Sequence, residues 1–379
     1  MQKRRAAQYV VLALVVLLAV IVVASAAVQP RQAQPLQRAQ TAVLIPGMLE
    51  HRVMLPSPLL SRLQTTKQKA DVSLLRSTYF VQNNIPHIRV GARAYQLLPL
   101  SAMQIAPTAA QLQKSQVLTP TLSKYQAYIL RHVFEPGVIS VGVDHRSKQT
   151  PVKDQGSRGT CVCFASMAGL EVAYGSTTLD LSENYSNYLY QKAEGHGCKS
   201  AGLATHMSAD YLSANGVCQD TLCPYQFSFP GFCNNGGSPA PSQRTNAQSH
   251  APYKIKSYQK IWRKDDLATD TGTWINNPGY LESILDSGKD IIFGTHVAGW
   301  TSPYTGVLDV KLDGSGNPLP SVGGHALLIV GYNRTGGYFI VKNSWGTGVG
   351  QAGYLYLSYD YLRTYAKYGY IINEVWPAS

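Results

Sequence analysis

Two apolar runs joined by a polar turn constrain the fold of the C-terminal part most strongly. The first run extends from Gly323 to Tyr332 and the second from Tyr338 to Lys342, with Asn-Arg-Thr-Gly-Gly between them. This pattern predicts a β-hairpin of two buried strands. With the turn centred on its second and third residues, His325 is expected opposite Ser344 or Trp345 and beside Asn343. The hairpin therefore predicts an imidazole and a side-chain amide at the same end of a sheet.

A thiol opens a predicted helix earlier in the chain. The polar loop that starts at Pro151 ends at Cys161, and the small and apolar residues from Cys161 to Tyr174 predict a helix with Thr160 as its N-cap. The free N–H groups of a first helical turn favour the thiolate, which is the nucleophilic form. His325 could then act as the base, with Asn343 holding its ring tautomer. Alone, a cysteine that opens a helix or a histidine on a strand is more often structural, but the combination favours catalysis.

Three blocks of sequence resemble those of papain-like cysteine peptidases. They are Gln155-Gly-Ser-Arg-Gly-Thr-Cys161, Gly324-His325-Ala326 and Lys342-Asn343-Ser-Trp-Gly346, which occur in the family's order. Arg-Gly-Thr-Cys before the nucleophile is closest to the bacterial branch. The resemblance covers about residues 140–379.

The resemblance implies a role for each matched residue. Cys161 would be the nucleophile, His325 the general base and then the acid, and Asn343 the residue that orients His325. Trp345 would shield the His325–Asn343 hydrogen bond, with Gly324 as a supporting position. The Gln155 side chain and the Cys161 N–H would form the oxyanion hole.

An α+β fold of two subdomains is implied as well. A helical subdomain would carry the Cys161 helix and a sheet-rich subdomain would carry His325 and Asn343. Protein or peptide substrate would lie in the cleft between them and be hydrolysed through a thioester, without a metal or a cofactor. Arg158 stands where the plant and animal enzymes have a disulfide-bonded cysteine.

The number of other cysteines is typical of an exported protein with disulfides, but it does not show which cysteines pair. Removing Cys161 leaves five, of which four lie in the stretch 198–233. We expect one or two disulfides among Cys198, Cys218, Cys223 and Cys233, and a buried free thiol at Cys163. A zinc site is the weaker alternative, because the spacings fit no zinc motif.

The excess positive charge lies outside the expected catalytic part. Residues 1–139 contain 15 Lys and Arg against three acidic residues, whereas residues 140–379 contain 18 of each. We therefore expect no nucleic-acid partner for the C-terminal part.

The first residues have the features of an export signal. Lys3-Arg4-Arg5 precede an apolar run from Tyr9 to Ala24, and Ala24-Ser25-Ala26 offers a cleavage site. An uncleaved membrane anchor is the alternative, because residues 9–28 are long enough to span a bilayer. In both cases the protein leaves the cytoplasm, either secreted or attached to the membrane. We assign residues 1–27 to this signal peptide or anchor.

Residues 28–139 form a basic segment rich in Gln and Pro. It contains no Cys or Trp, and short helices are expected at Leu59–Lys69 and Gln111–Val133. A flexible linker is one interpretation. An inhibitory propeptide is the other, because the apolar residues from Val53 onward could dock on the catalytic part. Activation would then require cleavage within 130–142.

Residues 140–379 form the expected peptidase domain, with a surface insertion at about 226–275 that is rich in Gly, Ser and Asn. The leading hypothesis is an exported cysteine endopeptidase made as a zymogen. The alternatives are an exopeptidase or transferase with the same thiol chemistry, and a catalytically silent binding protein on the same fold.

Overall fold

The computed structural model describes residues 70–103, 142–193, 204–227, 239–263, 274–302 and 304–378. The expected signal or anchor, the two helices predicted at 59–69 and 111–133, and nearly all of the cleavage region lie outside these residues. Within them, no helix is long and apolar enough to cross a membrane.

The helices of the described residues vary from about one to about three and a half turns. They are α1 (Val72–Thr78), α2 (Leu100–Met103), α3 (Cys161–Ala173), α4 (Glu183–Ala193), α5 (Thr205–Asn215), α6 (Pro241–Ser249), α7 (Pro278–Asp286) and α8 (Tyr359–Tyr365).

The strands form a small N-terminal sheet and a large C-terminal sheet. They are β1 (Tyr79–Gln82), β2 (Ile85–Val90), β3 (Arg93–Gln96), β4 (Gly142–Asp144), β5 (Ile255–Trp262), β6 (Ile291–Val297), β7 (Val307–Leu308), β8 (Gly323–Asn333), β9 (Tyr338–Lys342), β10 (Tyr354–Ser358) and β11 (Ala366–Val375). The small sheet has the order β1-β2-β3. The large one has the order β5-β11-β6-β8-β9-β10-β7, and β4 also pairs with β8.

Strand β8 lies at the centre of the large sheet. It pairs antiparallel with β6 and with β9, and the register Leu328↔Lys342 confirms the hairpin expected from the sequence. Helices α3, α4 and α5 pack on one face of the sheet, while α7 and α8 pack on the other. This arrangement is the expected α+β fold, with a helical subdomain against a sheet-rich one.

Helix α3 approaches the sheet closely because of a glycine. A Cβ on Gly169 would lie 2.5 Å from Cδ1 of Ile292 and 3.3 Å from Cδ1 of Leu328. Most of α3 is buried, which suits a helix that is apolar around most of its circumference. The helix that begins at Cys161 is therefore held against the strands that surround His325.

The N-terminal segment contains a folded unit that the sequence did not predict. Strands β1 and β2 are joined by Asn83 and Asn84, which both have positive φ angles, as a two-residue hairpin loop requires. Ile88 and Tyr95 of this small sheet are buried in the same core as α7 and α8. Residues 70–103 thus dock on the catalytic part and are not a flexible linker.

Part of the expected insertion at 226–275 is a strand of the large sheet. Strand β5 pairs with β11, and its Ile261 and Trp262 are buried. The polar residues of this strand concealed it in the sequence. Lys260 is only 8% exposed, and the burial of its charge is compensated by Asp210, whose Oδ2 lies 2.5 Å from the Lys260 Nζ.

The cysteines limit the expected disulfides. Cys163, Cys218 and Cys223 are buried free thiols, as is Cys161. A second disulfide is therefore absent, and the first could only join Cys198 and Cys233, which lie outside the described residues.

The Lys260–Asp210 pair gives a test of the packing of β5. Asp210→Asn leaves the ammonium of Lys260 buried without a counter-charge, and should lower the free energy of unfolding by about 2 kcal/mol. This is less than for a fully buried pair, because the Asp210 side chain is 40% exposed. Urea unfolding would measure the change.

Glu374→Gln is the matched control. Glu374 pairs with Lys256 on the same strand, but both side chains are exposed, so the change should stay within about 0.5 kcal/mol. Equal effects of the two substitutions would contradict a buried role for Lys260.

Candidate active site

Cys161 is the first residue of α3 and Thr160 is its N-cap residue, as the sequence predicted, but the expected capping bond is not formed. The Thr160 hydroxyl instead lies 2.7 Å from the hydroxyl of Tyr225. The N–H groups of Cys161 and Val162 therefore have no side-chain cap and act on the thiol, whereas the Cys163 N–H donates to the Thr160 carbonyl at 2.9 Å.

The Cys161 thiol is completely buried. Burial raises its pKa to about 12, while the backbone N–H groups of Ala326, Val162 and Cys161 itself act in the opposite direction by stabilising the thiolate. Because Ala326 follows His325 on β8, the thiol lies against the strand that carries the imidazole.

His325 is held by the amide of Asn343. Its Nε2 lies 2.8 Å from Oδ1 of Asn343, which fixes Nε2 as the protonated nitrogen. Its Nδ1 is buried and has no hydrogen-bond partner among the described residues. Burial lowers the pKa of His325 to about 4, and the bond to Asn343 acts in the opposite direction. The free Nδ1 is the nitrogen available to a thiol.

Two tryptophans enclose the imidazole. The ring of Trp345 stacks on that of His325 at 4.6 Å, and Trp300 packs edge-on at 6.2 Å. Both indoles are completely or almost completely buried. They keep water from the His325–Asn343 hydrogen bond. The sequence singled out Trp345 but not Trp300, which has no motif around it.

The Gln155 amide has a fixed orientation. Its Nε2 donates to the carbonyl oxygen of Arg158 at 2.8 Å, and its Oε1 accepts from Oγ of Ser344 at 2.7 Å. The second Nε2 hydrogen therefore remains for another acceptor. Ser344 also accepts from the Gln155 backbone N–H at 2.8 Å. The role of Ser344 was not predicted, because its position between Asn343 and Trp345 is the only signal that the sequence offers for it.

A cluster of charges anchors the loop that carries Gln155. Nζ of Lys153 lies 3.0 Å from Oε1 of Glu171 on α3 and 2.7 Å from Oε1 of Glu183 on α4. Both carboxylates are almost completely buried. The loop is thereby fixed to the helical subdomain on one side and to Ser344 on the other.

The N-terminal segment lies directly beside this site. The Leu98 N–H donates to the Gly324 carbonyl at 2.6 Å, and the Gly324 N–H donates to the Leu98 carbonyl at 2.7 Å. Any side chain at Gly324 would collide with Sδ of Met103. Glycine at this position, next to His325, thus permits the close approach of the segment.

Comparisons with known proteins identify the family of the chain. The model of the papain family cysteine proteases matches residues 139–369. Peptidase 1 of Dermatophagoides farinae is 30% identical over 234 residues, which cover 59% of this chain and 62% of that protein. Cysteine proteinase 1 of Entamoeba histolytica is 29% identical over 218 residues, covering 55% and 60%. The chain thus spans about three fifths of the length of these relatives.

A solved structure is also similar. Xylellain, a cysteine protease from Xylella fastidiosa, aligns with a TM-score of 0.50 and 26% identity, covering 65% of this chain and 93% of that one. This likeness confirms the expected bacterial branch. With more than half of its length matched by the family model, the chain belongs to the papain family of cysteine proteases.

Proposed function

We propose that this chain is an exported cysteine endopeptidase that is made as a zymogen and acts through Cys161, His325 and Asn343. The observation that carries the proposal is the 2.8 Å contact between His325 Nε2 and Asn343 Oδ1, on the strand against which the Cys161 thiol packs. This contact leaves Nδ1 as the only ring nitrogen that can accept the thiol proton.

The reaction follows from these positions. His325 takes the proton from the Cys161 thiol, and the thiolate attacks the carbonyl carbon of the peptide bond. The second Nε2 hydrogen of Gln155 and the Cys161 N–H stabilise the oxyanion. The imidazolium then protonates the leaving amine, which departs and leaves a thioester. Water, deprotonated by His325, hydrolyses this thioester and restores the thiol.

The substrate is a protein or peptide, as the family implies. Its backbone can pair with Gly324 in the way that Leu98 does, because both the N–H and the carbonyl of Gly324 point towards the segment. Addition of an extended chain to a strand edge is a common form of peptide recognition. Leu98 and a substrate would then compete for the same edge.

Side-chain contacts support an inhibitory role for residues 70–103. Tyr95 stacks on Trp345 at 5.0 Å and donates its hydroxyl to the Trp345 carbonyl at 3.1 Å. Met103 is completely buried, with its Sδ 3.3 Å from the hydroxyl of Tyr368. Arg93 forms an ion pair with Asp154, next to Gln155. A peptide could not reach Cys161 until these contacts were broken.

Export rests on the sequence alone. Residues 9–28 either form a signal that is removed or anchor the protein to a membrane, and the catalytic part acts outside the cytoplasm in both cases. Cleavage within 130–142 would separate residues 70–103 from the catalytic part. The segment could then dissociate.

Active-site labelling tests the function. An epoxide peptide inhibitor should label the full chain slowly, because residues 70–103 cover Cys161. The full-length double variant Tyr95→Ala/Met103→Asp, called the opened chain below, should be labelled about tenfold faster or more, because its uncovered state is more populated. Intact and digested masses would give the rate and place the label on Cys161.

Two controls accompany this experiment. Cys161→Ala should take no label, and Val81→Asp should behave as the wild type because Val81 is 71% exposed on the same segment. Equally fast labelling of the wild type would leave the peptidase and reject the zymogen. No labelling of any folded form would indicate a silent binding protein on this fold.

The pH dependence of alkylation gives a second prediction. With Cys161 raised to a pKa of about 12 and His325 lowered to a pKa of about 4, both groups are uncharged at neutral pH in the covered chain. The thiolate fraction should then rise about tenfold per pH unit between pH 6 and 9. The rate of Cys161 alkylation by iodoacetamide should rise in parallel.

The opened chain should behave differently. Water that enters the site removes the desolvation that raises the pKa of Cys161 and lowers that of His325, so a thiolate–imidazolium pair forms. Its alkylation rate should reach a plateau in the neutral range. Identical pH profiles for the two chains would contradict the covered state.

A further inference from the structure

The hydroxyl of Tyr225 bonds to the loop that carries Gln155. It donates to the Gln155 carbonyl oxygen at 2.7 Å and lies 2.7 Å from Oγ1 of Thr160. A phenol has one hydroxyl hydrogen, and Tyr225 donates it to the Gln155 carbonyl. The Thr160 hydroxyl is therefore the donor in the second hydrogen bond. Thr160 thereby orients the Tyr225 hydroxyl towards Gln155.

The Tyr225 ring is held from several sides. The guanidinium of Arg158 lies 4.6 Å from the ring centroid, and Phe164 of α3 packs edge-on at 4.7 Å. The Tyr225 N–H donates to Oδ1 of Asp220 at 2.9 Å. A cation on the face of the ring also strengthens the phenol as a hydrogen-bond donor.

Arg158 is itself fixed. It donates to Oδ1 of Asn184 on α4 at 3.2 Å and to the Gln226 carbonyl at 2.6 Å, and it is 2% exposed. It stands where the plant and animal enzymes use a disulfide. The Arg158 backbone carbonyl is also the acceptor for Nε2 of Gln155. Arg158 therefore holds the side chain of Gln155, and Tyr225 holds its backbone.

We propose that Tyr225, oriented by Thr160 and held by Arg158, is a positioning residue for the oxyanion hole that acts through Gln155. The inference rests on the proposed function, because Gln155 matters only if an oxyanion forms. Tyr225 does not touch the reacting atoms. It restrains the backbone from which the Gln155 amide extends.

Tyr225→Phe removes the restraint while leaving the ring in place. Loss of one oxyanion donor costs about 10² to 10³ in kcat, and a displaced donor should cost less. We expect kcat to fall about tenfold with KM within about twofold of its original value. Tyr253→Phe is the matched control, because the Tyr253 hydroxyl bonds only to Gln219 at an exposed position among the contacts of the described residues.

A double-mutant cycle separates positioning from stability. All kinetics would use the opened chain with a fluorogenic peptide. In a Gln155→Ala background, Tyr225→Phe should change kcat by less than about twofold, because the group through which it acts is gone. Thr160→Val should lower kcat less than Tyr225→Phe does. This loss should also vanish in the Gln155→Ala background. Thr160→Val keeps the cycle interpretable if the Tyr225→Phe variant fails to fold.

The outcomes are distinct. Tyr225 would be merely structural, and the inference overturned, if Tyr225→Phe lowered kcat tenfold both with Gln155 and with Gln155→Ala. The same conclusion would follow if the loss of kcat among the variants were proportional to the drop in their thermal unfolding midpoint. No loss in the single variant would overturn the inference as well, while leaving the peptidase intact. An opened chain without activity or labelling would reject the proposed function, and the inference with it.

Discussion

The packing of α3 against β8 is the contact on which the active site depends. The proposed nucleophile begins the helix and the proposed base lies on the strand, so the two meet only if the helix and the sheet approach closely. Gly169 permits this approach, because a side chain there would collide with Ile292. The Ala326 N–H then reaches the Cys161 thiol directly. The interface between α3 and β8 thus stabilises the fold and also brings Cys161 close to the strand of His325.

The same strand explains how the chain could restrain its own activity. Gly324 offers an N–H and a carbonyl beside His325, and Leu98 occupies both. Burial of the site acts on its electrostatics as well as on access. It raises the pKa of Cys161 and lowers that of His325, so the covered site favours the neutral pair over the reactive ion pair. Uncovering the site would reverse both effects.

The catalytic part was predictable where the signal is local. The hairpin register placed His325 beside Asn343, and the loop before Cys161 marked the start of a helix. Two features were missed because tertiary contacts determine them. Lys260 made β5 resemble a surface segment, although Asp210 neutralises its charge. The role of Tyr225 depends on residues about 65 and 70 positions away in sequence, Thr160 and Gln155.

The N-terminal sheet was missed for a different reason. Asn83 and Asn84 give a hairpin signal, but Pro86 follows after one residue and argues against a strand in the interior of a sheet. The small sheet tolerates it. Its stability comes from docking residues such as Ile88 and Tyr95 in the core of the catalytic part.

The most direct test of the account is the identity of the acyl-enzyme. The opened chain would be mixed with a peptide p-nitrophenyl ester, quenched in acid within one turnover, digested and analysed by mass spectrometry. The account predicts one acyl group per chain, attached to Cys161 and lost when the thioester is treated with hydroxylamine. An adduct on another residue, or undiminished ester hydrolysis by the Cys161→Ala variant, would contradict it.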